Sequence, residues 1–503
     1  MQDPVRKLVI AGGGTAGWMS AVWFSTLLKD DFDEIVLVES DEIGIVGVGE
    51  ATTPYIQVFN QCIGLDEDAF LKFTKGTFKL GIEFVDWGKL DHTYHHPFGP
   101  YGRDYGSLPF HAVWLRQALS GNAGALEEYN LQSLASRAGK FMRPQAGNSP
   151  LAGISYAFHF DASLYARYLR SLAEKNGVRR VEGKIAEVQL TETGFISGLR
   201  LDSGETVTGD LFFDCTGFRS LLLGQALGVG FVDWSHWLPC DRAWAVPTTR
   251  NGPPAPYTRS TARDAGWQWR IPLQHRDGNG HVFSSAFMDE DTARQRLYDK
   301  LEGEPQADAR LIRFTTGRRE VFWKKNCIAV GLAAGFLEPL ESTAIALIQN
   351  AIARLQYLFP DKGFEPADID TYNAEMTREY EDVRDFLILH YKAGVRDDSE
   401  FWRYCANMSI PDALARRIEL FESRGRIPAE RGEQFRMPSW LSVMWGQGLR
   451  PRAADPMTLS LPEGNVTQWL ADLRQVIGAC CQFMPSHAQF ISQHCASDRF
   501  DGL

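Results

Sequence analysis

A lysine sits inside a strand-like apolar run, Thr77-Phe78-Lys79-Leu80-Gly81-Ile82-Glu83-Phe84-Val85. Alternation puts Phe78, Leu80, Ile82 and Phe84 on one face and Lys79, Gly81, Glu83 and Val85 on the other. On that pattern Lys79 is an ordinary solvated strand lysine. Buried instead, its amine would be a strong hydrogen-bond donor or a nucleophile with a shifted pKa. A second reactive grouping is Glu338-Pro339-Leu340-Glu341-Ser342-Thr343-Ala344, two glutamates three residues apart ahead of an apolar helical run. Ser342 or Thr343 can cap that helix, and the unpaired N–H groups at its start make an anion site. The ordinary reading is a well-capped helix. The functional one gives a carboxylate the part of a base while the helix start holds a halide or phosphate.

Gly12, Gly14 and Gly17 complete a GxGxxG turn between the apolar run Leu8-Val9-Ile10-Ala11 and a helix-compatible segment. The first glycine makes the tight turn, the second lets backbone approach a pyrophosphate, and the third lets helix meet strand. The helix start at Thr15 and Ala16 adds positive potential for the phosphates. Glu39 ends the next strand, 22 residues beyond Gly17, where a carboxylate can bind a ribose. Together these predict a dinucleotide, without separating NAD from FAD. Two further small-residue turns stand near it in character: Gly47-Val48-Gly49-Glu50-Ala51 and Asp214-Cys215-Thr216-Gly217. No second complete GxGxxG occurs, so a separate NAD(P)H site is missing.

The elements that must position these groups follow from periodicity. Strand, glycine turn, helix (18–29) and strand (34–39) open the chain. Residues 180–217 and 240–290 are β-rich, and from Ser342 onward the spacing turns helical, with Ile345, Leu347, Ile348, Ala351, Ile352 and Leu355 in one stripe and further helical segments at 367–406, 410–424 and 466–482. Trp267 and Trp269 share one face of a strand. His92, His95 and His96 lack a carboxylate or cysteine to complete a metal set, so no metal is expected. The 503 residues exceed a small binding module. A net charge of −11 without a Lys/Arg run argues against nucleic acid, and no apolar run reaches the length of a membrane span. Eight irregularly spaced cysteines and an N-terminus running straight into a strand point to a reduced, cytoplasmic protein. The aromatic content, 14 Trp, 15 Tyr and 31 Phe, leaves open whether some rings line a pocket for a flat ligand.

Taken together, the glycine turn, Lys79 between Phe78 and Leu80, Trp267-x-Trp269-x-Ile271-Pro272 and Pro339-Leu340-Glu341-Ser342-Thr343 resemble the flavin-dependent tryptophan halogenase family, with Cys240-Asp241-Arg242-Ala243 and Gly446-Gln447-Gly448-x-x-Pro451 in the same order. The resemblance implies an α/β chain: a Rossmann-like FAD domain of glutathione-reductase type, a β-layer and a helical C-terminal substrate region. In numbers it implies an FAD-binding βαβ unit with the lysine strand at 1–90, a substrate-region insertion at 91–160 and a return to the FAD domain at 161–235. A β-sheet layer at 236–335, a halide and flavin helix at 336–360 and a helical substrate region with lid at 361–503 complete it.

The implied reaction uses FAD, reduced in trans by a separate and diffusive flavin reductase, with oxygen and halide to make a hypohalous acid that halogenates an electron-rich aromatic. The missing NAD(P)H motif then has its explanation. By resemblance Lys79 holds the halogenating species and Glu341 accepts the ring proton. FAD would be held by Gly12, Gly14, Thr15, Ala16, Gly17, Glu39, Gly49, Glu50, Ala51, Ile185, Leu332 and Ile345, and halide by Thr343 and Ala344. His96 and Phe98 would sandwich the substrate, Trp267 and Trp269 would lie between flavin and substrate, and Trp440 and Trp445 would form a lid. Two departures matter. Ala344 replaces a glycine of the family's halide turn, which points to bromide tolerance, and Pro438-Ser-Trp440-Leu-Ser-Val-Met-Trp445 lacks a tyrosine pair that grips the amino-acid part of tryptophan. Indole or a substituted indole is therefore expected ahead of free tryptophan. A hydroxylating flavin monooxygenase and a non-catalytic flavin redox sensor are the competing readings.

Overall fold

The computed structural model describes residues 3–42, 49–429 and 432–499, so Gly47 and Val48 of the second glycine loop lie outside the described residues. The chain is divided between two compact units, each discontinuous in sequence: Met1–Gly76 with Phe160–Pro239 and Arg313–Glu381, and Thr77–His159 with Cys240–Ile312 and Asp382–Leu503.

The first unit is built on a six-stranded sheet ordered Trp323–Lys324, Cys327–Ala329, Leu211–Asp214, Lys7–Ala11, Glu34–Glu39, Arg179–Glu182. All its pairings are parallel except the outer one between Trp323–Lys324 and Cys327–Ala329. A parallel sheet is covered on its faces, so the central strand reads as an unbroken apolar run, Leu8 to Ala11, at 0% exposure. The helix Thr15–Leu27 begins directly after the glycine turn and buries every residue from Gly17 to Ser25. Such all-round burial requires neighbours on several sides, and the helices Ala162–Lys175 and Ala344–Tyr357 provide them. This is the Rossmann-like half of the α/β fold.

The second unit carries a seven-stranded sheet ordered Arg310–Arg313, Arg242–Thr248, Asp277–Phe283, Gly266–Pro272, Thr258–Arg263, Gly81–Val85, Thr93–Pro97. Residues alternate across it: Trp267, Trp269 and Ile271 are buried on one face, while Arg259, Arg263 and Arg270 bond Glu83, Gln268 and Asp277 on the other. Gly280 pairs opposite Trp269, and a Cβ there would fall 2.1 Å from the indole, so the register needs glycine. Helices Glu400–Asn407, Asp412–Arg424, Met437–Gly446, Glu463–Phe483 and His487–His494 follow.

Two expectations need correction. Residues 77–85 are not one alternating strand: Thr77–Lys79 pairs with Ala157–His159, and after Leu80 the segment Gly81–Val85 pairs with Thr93–Pro97 and the Thr258–Arg263 strand. Changing sheets between Lys79 and Gly81 cancels the period-two rule, and Lys79 is buried at 0% exposure. The helical run expected over 367–406 is two helices, Pro366–Lys392 and Glu400–Asn407. Between them the chain passes so close to Trp87 that a Cβ on Gly394 would meet its carbonyl at 2.8 Å. Among the described residues no helix is long and apolar enough to cross a membrane.

Candidate active site

In the first unit the glycine turn has the form a nucleotide needs. Gly12 has φ +108°, and a Cβ on it would fall 2.2 Å from the Cys215 carbonyl oxygen; one on Gly17 would fall 1.9 Å from the Gly12 carbonyl oxygen. Both positions are closed to any side chain. At Gly14, by contrast, a Cβ would meet nothing within 4 Å, which leaves an open cradle over the helix start. No acidic residue occupies that helix's first turn and no side chain caps it, so Thr15 and Ala16 offer their N–H groups to an anion. Glu39 bends over the same turn. Arg180 Nε (2.6 Å) and Arg170 Nη1 (3.4 Å) both donate to Glu39 Oε1, while Oε2 lies against Gly13. These residues fit the pyrophosphate and ribose of a dinucleotide such as FAD.

Asp214 organises the neighbouring turn from a position with 0% exposure. Its Oδ1 accepts from Thr216 N and Oγ1, and its Oδ2 accepts from Ser220 Oγ and the N–H groups of Leu222 and Leu223. This role was not legible in the sequence, where Asp214 was one residue of a small-residue turn. Gly49 and Ala51 are buried and Glu50 half-buried; desolvation pushes the Glu50 carboxyl up to about 7. Ile345 is buried, Ile185 half-buried at the start of the strand Ile185–Leu190, and Leu332 is 36% exposed.

Glu341 closes the short 3-10 turn Pro339–Glu341 at 2% exposure, and Ser342 turns the chain through φ +60° into the helix Ala344–Tyr357. Thr343 is the N-cap residue, but its side chain makes no capping bond, contrary to the expectation of a capped helix. Its Oγ1 is buried without a hydrogen-bond partner among the described residues. A hydroxyl left unsatisfied beside the N–H groups of Ala344 and its successors fits a small anion.

In the second unit Lys79 meets the substrate-stacking residue expected from the sequence. Phe98 N donates to the Leu80 carbonyl (2.8 Å), and Lys79 Nζ stands 5.3 Å from the centre of the Phe98 ring. His96, two residues before Phe98, packs on Phe386 (5.7 Å) and Phe435 (6.3 Å). Phe386 stacks on Phe435 at 3.9 Å and meets Trp440 edge-on at 4.9 Å, while Arg417 covers Trp440 at 4.2 Å. His96 and Trp440 thus belong to one aromatic cluster through two phenylalanines that carry no motif. Trp445 is not in it. Five residues along the helix Met437–Gly446 is a rotation of about 140°, and Trp445 packs instead on Trp114 (4.8 Å) and Arg450 (3.7 Å). Trp267 and Trp269 lie 6.0 Å apart, with Trp87 6.3 Å from Trp267. Sequence reasoning also missed His159 and His487, which flank the lysine strand.

A Rossmann-like fold with an open glycine cradle at a helix start defines a dinucleotide-binding protein, and its second unit buries a lysine against an aromatic ring. The sequence profile described as Tryptophan halogenase matches residues 7–463, and the chain belongs to that family. It is 37% identical over 488 residues to Tryptophan 6-halogenase SttH of Streptomyces toxytricini, covering 89% of this chain and 91% of that protein. Among solved structures, Xcc4156, a flavin-dependent halogenase from Xanthomonas campestris, superposes with TM-score 0.95 at 47% identity, covering 98% of this chain and 99% of that one. BrvH, a flavin-dependent halogenase from Brevundimonas sp. BAL3, gives TM-score 0.93 at 46% identity, covering 97% and 99%. The chain is a flavin-dependent halogenase that uses FAD and halide, and its family implies a small aromatic substrate and a separate flavin reductase.

Proposed function

We propose that this halogenase acts on indole or a substituted indole, with Lys79 and Glu341 as its catalytic residues. The observation that carries the reading is Lys79, fully buried with Nζ 5.3 Å from the Phe98 ring. Reduced FAD, when bound, supplies with oxygen the oxidising equivalents that make halide electrophilic. Lys79 holds the resulting hypohalous acid by its amino group and polarises it toward the ring, and the neighbouring ring of Phe98 stacks the flat substrate. Glu341 stabilises the cationic ring and takes its proton. Thr343 and the Ala344 N–H hold the halide, and the unpartnered Thr343 hydroxyl supports that assignment. Gly12, Gly14, Thr15, Ala16, Gly17 and Glu39 hold the dinucleotide, with Gly49, Glu50, Ala51, Ile185, Leu332 and Ile345 completing the set. His96 and Trp440 contribute to the substrate wall.

Curated relatives such as SttH are named for tryptophan, whereas Xcc4156 and BrvH are described by flavin dependence alone. The absence of a tyrosine pair from Pro438 to Trp445 favours an indole without a gripped amino-acid part. The reductase acts diffusively, nucleic acid and membrane are not partners, and the protein is cytoplasmic. The test supplies reduced FAD, oxygen and either chloride or bromide to an indole panel and reads product mass. Halogen isotope patterns are the expected result, bromide at least matching chloride. Hydroxylated products would install a monooxygenase in its place, and tightly retained FAD with no product across the panel would install a redox sensor.

A further inference from the structure

Lys79 sits at the end of a three-residue strand, Thr77–Lys79, so few local contacts hold it. One edge pairs Thr77, Phe78 and Lys79 with His159, Phe158 and Ala157. The Phe78 N–H is held from elsewhere: it donates to His487 Nε2 at 3.1 Å, across 409 residues of sequence. We propose that His487 is a positioning residue for halogen transfer at Lys79, clamping the lysine strand through the Phe78 amide. The proposal rests on the catalytic assignment of Lys79.

The proton positions follow from the partners. His487 Nδ1 lies 2.9 Å from the Pro254 carbonyl oxygen, which can only accept, so Nδ1 carries the hydrogen and Nε2 presents its lone pair to Phe78. Burial at 1% exposure pushes this imidazole down to about 4, which keeps it neutral and able to accept. The same loop holds the other side of the lysine, since Leu80 N donates to Pro256 O at 2.7 Å. Lys79 is therefore bracketed on both sides by one structure made of the 254–256 loop and the C-terminal helix His487–His494. The Phe78 ring locks into it, stacked on Phe141 at 4.0 Å with Phe490 edge-on at 5.3 Å. His159 guards the same face as Lys79. Thr77 Oγ1 donates its only hydrogen to Pro272 O (2.7 Å), so it accepts from His159 Nδ1, and His159 Nε2 then accepts from Thr258 Oγ1. Releasing Phe78 would let the strand shift and carry Nζ away from Phe98, and shifts of an ångström at a reacting group are costly in rate.

Full-length wild type, His487→Phe, His487→Asn, His487→Gln and Lys79→Ala are given reduced FAD, oxygen, bromide and indole, and brominated product per flavin oxidised is read beside hydrogen–deuterium exchange of the 77–80 amides. His487→Phe keeps a ring but removes the acceptor; His487→Asn is too short to reach Phe78 and repeats the test without a large ring. Both lower product per flavin by about tenfold and speed exchange at Phe78. His487→Gln, which offers one acceptor and one donor, recovers most of the yield and the protection. Folded His487→Phe or His487→Asn with wild-type product per flavin overturns the proposal, as does an equal loss in His487→Gln. If Lys79→Ala abolishes product while the His487 variants do not lose it, the lysine assignment stands and the clamp alone fails. If Lys79→Ala itself keeps full halogenation, the assignment has failed and the clamp falls with it.

Discussion

Lys79 and Thr343 are defined by what surrounds them more than by their type. A lysine amine at 0% exposure beside a phenylalanine ring is held where water does not compete for its hydrogen bonds. Lys79→Ala is expected to cut halogenated product by at least about a hundredfold while reduced flavin is still consumed, measured by product mass against oxygen uptake. Thr343 tests a different term. Its buried hydroxyl lacks a partner among the described residues, so a bound halide satisfies it. Thr343→Val, nearly equal in shape, is expected to raise the halide KM by about tenfold with little change in thermal midpoint, read from bromide titrations. The sequence named both residues, Lys79 only through its family motif, because an isolated strand lysine is ordinarily solvated. Phe386 and Phe435 had no signal of any kind; an apolar ring in a run such as Phe386-Leu387-Ile388-Leu389 reads as core whether or not it faces a substrate.

Elements show the same division. The glycine turn was legible because its requirements are local: three positions within six residues where a Cβ collides with backbone or blocks a phosphate. Gly17→Ala places a methyl 1.9 Å from the Gly12 carbonyl oxygen, so helix and strand must separate. The expected outcome is a loss of about 1–3 kcal/mol of stability together with weakened FAD binding, followed by thermal melting and flavin fluorescence titration. The segment 77–85 was misread as one strand because period-two alternation assumes a single partner on each edge. Here Thr77–Lys79 and Gly81–Val85 join different sheets, and the face rule restarts after Leu80.

At the scale of the whole molecule the titratable groups are distributed unevenly. Five histidines of the second unit, His95, His111, His159, His281 and His487, are buried and have their pKa values pushed down, to about 3 for His95, about 4 for His281 and His487, below the usual value for His111 and well below it for His159, desolvation being the largest cause in each. A depressed histidine pKa means the unfolded chain binds the proton first. Stability is therefore fully present above about pH 6.5 and is lost as pH falls through the folded values. In the first unit Glu50 has the opposite sign: raised to about 7, it contributes most below about 4.5 and loses that contribution as pH rises through 7. Desolvation also raises Asp277 and Glu379, so three carboxyls stand against five imidazoles and acid lability stays dominant. Thermal midpoints measured from pH 7.5 down to 4.5 are expected to fall, and the loss to begin in the second unit, as read by hydrogen exchange. Glu50→Gln removes the Glu50 share of the opposing slope and steepens the histidine-driven fall.

The sequence by itself determined the Rossmann-like start, the paired indoles on one strand face, the helix from Ala344 and the family to which the chain belongs. Each of these depends on spacing over a few residues, where backbone sterics and side-chain periodicity act directly. Only the tertiary structure decided that Lys79 is buried, that Phe386 and Phe435 join His96 to Trp440, that Trp445 faces Trp114 instead, and that His487 holds the lysine strand. Burial and hydrogen-bond partnership are properties of what packs around a residue. For Phe78 and His487 the packing partners are 409 positions apart, a distance at which no local pattern in the chain carries information about contact.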